Sequence, residues 1–138
     1  MVSQRGHLTE GNNFVSNAST NRAVVERLFA AMCAGDLAVI EELVADDFIQ
    51  HNPQVRSGRE AFCGFIAAVA PVEAKVYRVL AVRDLVALHH PFLSFGSAVV
   101  DIFRVVDGKV VEHWDVIQPV PETTVDHLAR FSPESYES

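Results

Sequence analysis

The stretch Val100-Asp-Ile-Phe-Arg-Val-Val-Asp-Gly-Lys-Val-Val-Glu-His-Trp-Asp115 decides the fold. Two runs rich in β-branched residues flank Asp107-Gly108, a dipeptide that tolerates the positive φ angles of a two-residue hairpin turn. Alternation with period two on either side predicts antiparallel strands over 97–106 and 109–118. Toward the amino end, turns at Gly96-Ser97 and Arg83-Asp84 divide two further alternating segments, predicting strands over 84–94 and 73–83. Toward the carboxyl end, Pro119 and Pro121 stop the last strand, and residues 123–138 read as a loosely structured tail.

Upstream of Pro71 the period changes from 2 to 3.6. Val24, Val25, Leu28, Phe29 and Met32 recur at helical spacing from Thr20 onward, and Gly35 is placed to end that helix. Asp36 can cap a second helix that buries Leu37, Ile40, Leu43 and Val44. Ser57 and Glu60 have the spacing of a capping box, followed by Phe62, Phe65, Ile66 and Val69 on one helical face. Residues 46–54 between these helices read as an irregular or short-strand segment. Residues 1–18, rich in Ser, Asn and Gly without apolar periodicity, read as a flexible extension ahead of a single domain over 19–122. Three helices followed by a meander predict an α+β layer, with helices on one face of a curved, mainly antiparallel sheet and a cavity at its open end.

Composition narrows the function. Of 138 residues 49% are apolar and 21% charged, which is globular composition. The formal net charge is −7 with no run of lysine or arginine, which argues against nucleic-acid or anionic-membrane partners. Cys33 and Cys63 lack metal or redox spacing and read as free thiols. The amino terminus carries no apolar stretch of signal-peptide or anchor length, so a cytoplasmic protein is the expectation.

Order and spacing then bring a family into view. Ala34-Gly-Asp-Leu, Ala45-Asp-Asp-Phe, His51-Asn-Pro and Ser57-Gly-Arg-Glu resemble the helical half of the nuclear transport factor 2-like superfamily, a cone-shaped α+β fold. The hairpin is similar to its last two strands. Gln50-His-Asn-Pro and Glu112-His-Trp-Asp-Val-Ile-Gln-Pro-Val-Pro-Glu resemble the SnoaL-like polyketide cyclase branch, which is predicted to catalyse aldol condensations. The resemblance spans roughly residues 20–122. The superfamily also holds isomerases, hydrolases and plain binding proteins, so the site must carry the functional argument.

Strand alternation decides which polar groups can enter the cavity. His113, Asp115 and Ile117 share one face of the last strand, with Glu112, Trp114 and Val116 on the other. Asp101 and Phe103 share a face of the strand before it. Simple two-residue pairing sets 106 against 109, 103 against 112 and 101 against 114, which brings Trp114 beside Asp101. A one-residue bulge reverses this and brings in Asp115. The resemblance implies the reversed arrangement, because isomerase positions matching His113 and Asp115 line the pocket. It also implies that Asp101 matches an aspartate kept protonated to donate to an oxyanion. Where the isomerases carry a proton-shuttling aspartate, this chain has Asn52, which cannot act as a base.

The catalytic candidates are therefore Asp115 as base, His113 as relay, Asp101 as oxyanion donor, and His51 as a second acid–base or orienting group. Substrate contacts are expected from Asn52, His89, Phe29, Phe62, Phe103 and Ile117. His89 is the pocket histidine because it matches the first position of a His-x-His arrangement common in the branch, leaving His90 for the surface or an interface. His51, His89 and His113 show no local metal-ligand spacing, so no metal is expected. The reading is a cofactor-independent aldol-type lyase or cyclase acting on a small carbonyl compound through an enolate. The alternatives are a non-catalytic small-ligand-binding protein and an isomerase or epoxide hydrolase. The hydrolase is weakened because Val99 stands where its arginine belongs. A homodimer is expected through the outer sheet face, with Val100, Ile102 and Val116, and with Trp114 either there or plugging the core.

Overall fold

Asp107 and Gly108 adopt φ of 51° and 77°, the turn that their sequence favours, and join β4 (Ser97–Val106) to β5 (Lys109–Pro119). The computed structural model describes residues 3–92 and 96–121, with side chains from Asn17 onward. Next to the turn, Val106 opposes Lys109 and Val105 opposes Val110. One step further Arg104 opposes Glu112, so Val111 is an extra residue and β5 is bulged there. Beyond the bulge Phe103 opposes His113, Ile102 opposes Trp114 and Asp101 opposes Asp115. The reversed arrangement is the one present.

β3 (Leu85–Phe92) pairs antiparallel with β4, and β2 (Arg78–Val82) pairs antiparallel with β3. The strand expected over 73–83 is thus confined to its second half. The one expected over 84–94 ends, among the described residues, at Phe92. β1 (Val44–Gln50) runs into the segment left open at 46–54 and pairs in parallel with β5. The sheet has the order β1-β5-β4-β3-β2, is curled and does not close. The expected α+β class, three helices on a mainly antiparallel sheet, holds.

The first helix, α1 (Ser3–Ala34), begins well before Thr20, so the backbone is helical through most of the segment expected to be a flexible extension. Gly35, at φ 77°, turns the chain out of α1, with its N–H on Ala31 O at 2.8 Å. Asp36 then accepts the Val39 N–H at 3.3 Å and caps α2 (Leu37–Leu43). Val44 is extended and opens β1 instead of lengthening that helix.

The capping box expected for α3 (Arg59–Val69) does not form. Gly58, at φ 103°, is the N-cap, which pushes Ser57 one residue outside the helix. Ser57 Oγ instead accepts the Gln50 N–H at 2.9 Å, tying the start of α3 to the end of β1.

All three helices pack on one face of the sheet. Val25, Leu28 and Phe29 of α1, Ile40 and Leu43 of α2, and Phe62 and Ile66 of α3 are buried against Val86, Leu88, Phe103, Val105 and Val110. Burial of each such side chain is worth about 1.5–3 kcal/mol, so this layer carries the stability of the fold. The opposite face bears exposed Leu80, Val82 and Val116. No described helix is long and apolar enough to cross a membrane.

Candidate functional site

Past the apolar layer, the inner face of the sheet turns polar. β4 contributes Asp101, β5 contributes His113 and Asp115, and β1 and the turn after it contribute Gln50 and Asn52. Opposite them stand Phe29 and Met32 of α1 and Phe62, Phe65 and Ile66 of α3. A cavity of 340 Å³ lies between these walls, with no lysine or arginine among its lining residues. One wall is apolar and the other holds nearly all the polar groups.

Asp101 is 6% exposed and has both carboxylate oxygens occupied. Oδ1 lies 2.7 Å from His113 Nε2, and Oδ2 lies 2.5 Å from His90 Nε2. Burial pushes the Asp101 carboxyl up, but the hydrogen bonds and charge of His113 and His90 outweigh it. The net result holds Asp101 below its ordinary value of 3.8. Asp101 is therefore an ionised acceptor, not the protonated oxyanion donor expected from the resemblance. The other nitrogen of His113, Nδ1, lies 2.7 Å from Gln50 Oε1. Both ring nitrogens thus face side-chain oxygens, which fixes the orientation of the His113 ring.

Asp115 opposes Asp101 across the hairpin but has a different partner: Asn52 Nδ2 donates to its Oδ2 at 2.8 Å. Asn52 Oδ1 accepts the Gln54 N–H at 2.8 Å, so the Asn52 amide is held in one orientation. Among the described residues, Asp115 Oδ1 has no hydrogen-bond partner, and Asp115 lines the cavity. Ile117 continues the same face of β5 toward the mouth.

His51, expected to converge on this pocket, faces the other way. Its ring stacks on Trp114 with centroids 4.9 Å apart and planes 3° from parallel, and its Nε2 lies 2.6 Å from Glu112 Oε2. Glu112 also pairs with Arg104. His51, Glu112, Arg104 and Trp114 thus form a cluster on the outer side of the sheet. Strand period explains it, since Gln50 enters the cavity and the next residue must leave it.

The two adjacent histidines exchange their expected roles. His90 is fully buried on the inner face with Val86 and Leu88, and holds Asp101. His89 lies on the other face beside Arg78, whose Nη1 is 3.3 Å from its Nδ1. Burial, then the charges of Arg78 and His90, push the His89 imidazole down. Alternation with Val86 and Leu88 was the sequence signal for His90, and it outweighs the His-x-His resemblance. Phe29 and Phe62 line the cavity. Phe103 does not: it is fully buried under the His113 ring, with centroids 4.7 Å apart. Gln50 was passed over as a site residue because the strand that aims it was read as irregular.

Asp101, His113 and Asp115 each offer a ligand atom, all within 4.8 Å of one another. Asp101 and His113 already spend theirs on a mutual hydrogen bond, which a cation would have to displace. Cys33 also lines the cavity, but burial and then the Asp101 charge push its thiol up and away from nucleophilic character.

A family model described as the SnoaL-like domain matches residues 25–113. No curated protein matches the chain. Among solved structures, the chain is similar to a candidate ketosteroid isomerase of Kribbella flavida DSM 17836, with 21% identity and a TM-score of 0.66 over 80% of this chain and 86% of that one. It is also similar to a candidate SnoaL-like polyketide cyclase of Jannaschia sp. CCS1, with 23% identity and a TM-score of 0.61 over 73% and 87% of the two chains. A third, IdmH of Streptomyces antibioticus, a candidate polyketide cyclase, has 24% identity and a TM-score of 0.56 over 71% and 91%.

Proposed function

The chain belongs to the SnoaL-like domain family, and on that footing we propose that it is an aldol-type lyase or cyclase working through an enolate of a small carbonyl compound. The observation that carries this reading is Asp115, held by Asn52 through one oxygen on the polar wall of a cavity whose opposite wall is apolar. A carboxylate in such a place is a suitable base for a carbon acid, because few waters compete for it. Asp115 Oδ1 takes the proton next to the carbonyl, and the C–H electron pair becomes the C=C of an enolate. Carbon attack on a second carbonyl then forms the new C–C bond, and the resulting alkoxide is protonated. The reverse sequence cleaves the bond. Neither direction needs a cofactor.

Asp101 takes a supporting part in this scheme. With His90 it holds His113 in place, and His113 in turn holds Gln50. With no lysine or arginine among the described lining residues, the cavity disfavours an anionic substrate and suits one that is polar at one end and apolar over the rest. The volume suits a small ring system or short chain. We take the protein to work in the cytoplasm as a homodimer through its outer sheet face, where Leu80, Val82 and Val116 lie exposed.

Enolisation is measurable before the natural substrate is known, as uptake of solvent deuterium at the methyl group of acetophenone and related small ketones. Asp115→Asn keeps the shape and the Asn52 contact and should slow exchange by about 10²–10⁴-fold. Full exchange in that variant would remove Asp115 from the role. Ketones that bind without exchanging in the native protein would favour a ligand-binding protein without turnover.

A further inference from the structure

Gln50 Oε1 accepts two hydrogen bonds, from the Asn52 backbone N–H at 3.0 Å and from His113 Nδ1 at 2.7 Å. A backbone N–H can only donate, so the atom facing it is the amide oxygen and the side chain cannot flip. Both oxygen lone pairs are then used, and the Nε2 group is turned away from both donors. Among the described residues, neither Nε2–H has a hydrogen-bond partner. Gln50 nevertheless lines the cavity, on the same wall as Asn52 and Asp115.

An amide NH₂ held in one orientation beside an apolar space is a donor without an acceptor. Gln50 is half-buried and lines the cavity, so this donor is open to a guest that brings an oxygen to that point. The connections behind it strengthen the argument. His90 and His113 share the Asp101 carboxylate, and His113 passes a hydrogen bond to Gln50 Oε1. A proton donor on the amide oxygen draws electron density from the nitrogen and makes each Nε2–H a better donor. The buried histidines and Asp101 therefore act on the cavity through Gln50, since their own polar atoms are already paired.

We propose that Gln50 is the carbonyl-binding residue of this site. Its Nε2 donates to the substrate carbonyl oxygen and holds the negative charge that the oxygen acquires when Asp115 removes the neighbouring proton. This rests on the enolate reading above and supplies the oxyanion donor that Asp101 cannot be. In the step, the C–H bond breaks, its electron pair forms the C=C bond, and the carbonyl π pair moves onto the oxygen facing Nε2. The proton resides on Asp115, and the charge on the oxygen is met by a neutral donor fixed before the reaction.

The decisive variant is Gln50→Glu. It keeps an oxygen for Asn52 and His113, removes the NH₂ and adds a carboxyl charge. The uncharged Gln50→Met is therefore titrated beside it and must weaken oxyanion binding by at least tenfold as well. A purely structural Gln50 would tolerate Gln50→Glu, whereas a carbonyl donor would be lost. The probe is 4-nitrophenolate, an oxyanion that absorbs visible light, titrated into the Asp115→Asn protein, whose neutral amide stands for the base after it has taken its proton. We expect 4-nitrophenolate to bind that protein and Gln50→Glu in the same background to weaken it by at least tenfold. The protein should melt within a few degrees of its parent. Equal binding with and without the Gln50→Glu change, or no binding by Asp115→Asn, overturns the proposal. Acetophenone exchange separates the two readings. Gln50-dependent phenolate binding in a protein that never exchanges leaves Gln50 as an oxyanion donor and removes the enolate chemistry. Full exchange by the single variant Gln50→Glu overturns the role of Gln50 and leaves Asp115 untouched.

Discussion

Asp101 illustrates how a residue's partners decide its chemistry. Sequence comparison marked it as a buried pocket carboxylate, and it is buried, but whether it donates or accepts depends on two imidazoles brought to it by strand register. Asp101→Asn would leave both rings short of an anion. Removing one partner of such a buried cluster typically costs about 3–5 kcal/mol, measurable by urea denaturation at neutral pH. The pH dependence has a definite sign. A carboxyl held below its unfolded value of 3.8 contributes stability that is present above that pH and lost as pH falls through the folded value. The native protein should therefore lose stability below about pH 3.8, and Asp101→Asn should lose less over the same interval. Identical acid limbs in the two proteins would rule out the ionised Asp101. His113 and Asp115 share one face of a strand that the Asp107-Gly108 turn made recognisable, whereas Asn52 was singled out by resemblance alone. His90 was legible from alternation, yet a motif match pointed one residue away. His51 was misread for a similar reason, because its role depends on a strand that had not been placed.

At the scale of elements, turns were easier to read than the strand and helix ends around them. Asp107-Gly108 and Gly35 need positive φ, and residues that tolerate it announce themselves. The bulge at Val111 has no such signature, although it decides whether Asp115 or Trp114 faces the cavity. The start of α3 was misread because Gly58 takes the cap position and Ser57 turns back to β1. The two accounts of Ser57 and Glu60 make opposite forecasts. With no reciprocal box, Glu60→Ala should change stability by no more than about 0.5 kcal/mol. Ser57→Ala leaves the Gln50 N–H without its partner and should cost about 1 kcal/mol. Chemical denaturation of the two variants would decide it, and equal losses would reinstate the capping box.

For the molecule as a whole, the change of period after Pro71 was enough to give helices first and a meander second, and so the layer arrangement. It could not give β1, a short parallel strand whose partner lies more than 60 residues away in sequence. The helices leave the outer sheet face uncovered, with Leu80 and Val82 on β2 and Val116 on β5 each at least 63% exposed. If that face joins two copies, sedimentation at micromolar concentration should give twice the 15.2 kDa chain mass. Val116→Lys should shift the protein toward the single chain. A native protein that sediments only as a single chain would exclude the dimer.

The parallel pairing of β1 with β5 also bears on how the chain is made. Gln50 and Asn52 leave the ribosome long before His113 and Asp115, and β1 has no other neighbour in the sheet. During synthesis the first half of the chain must hold an unpaired strand and an open apolar wall until the final hairpin emerges. Joining segments so far apart is a slow, late event in folding. A pause in translation within the last strand would leave a chain with most of its core in place, no functional site, and an edge ready to pair with another nascent copy.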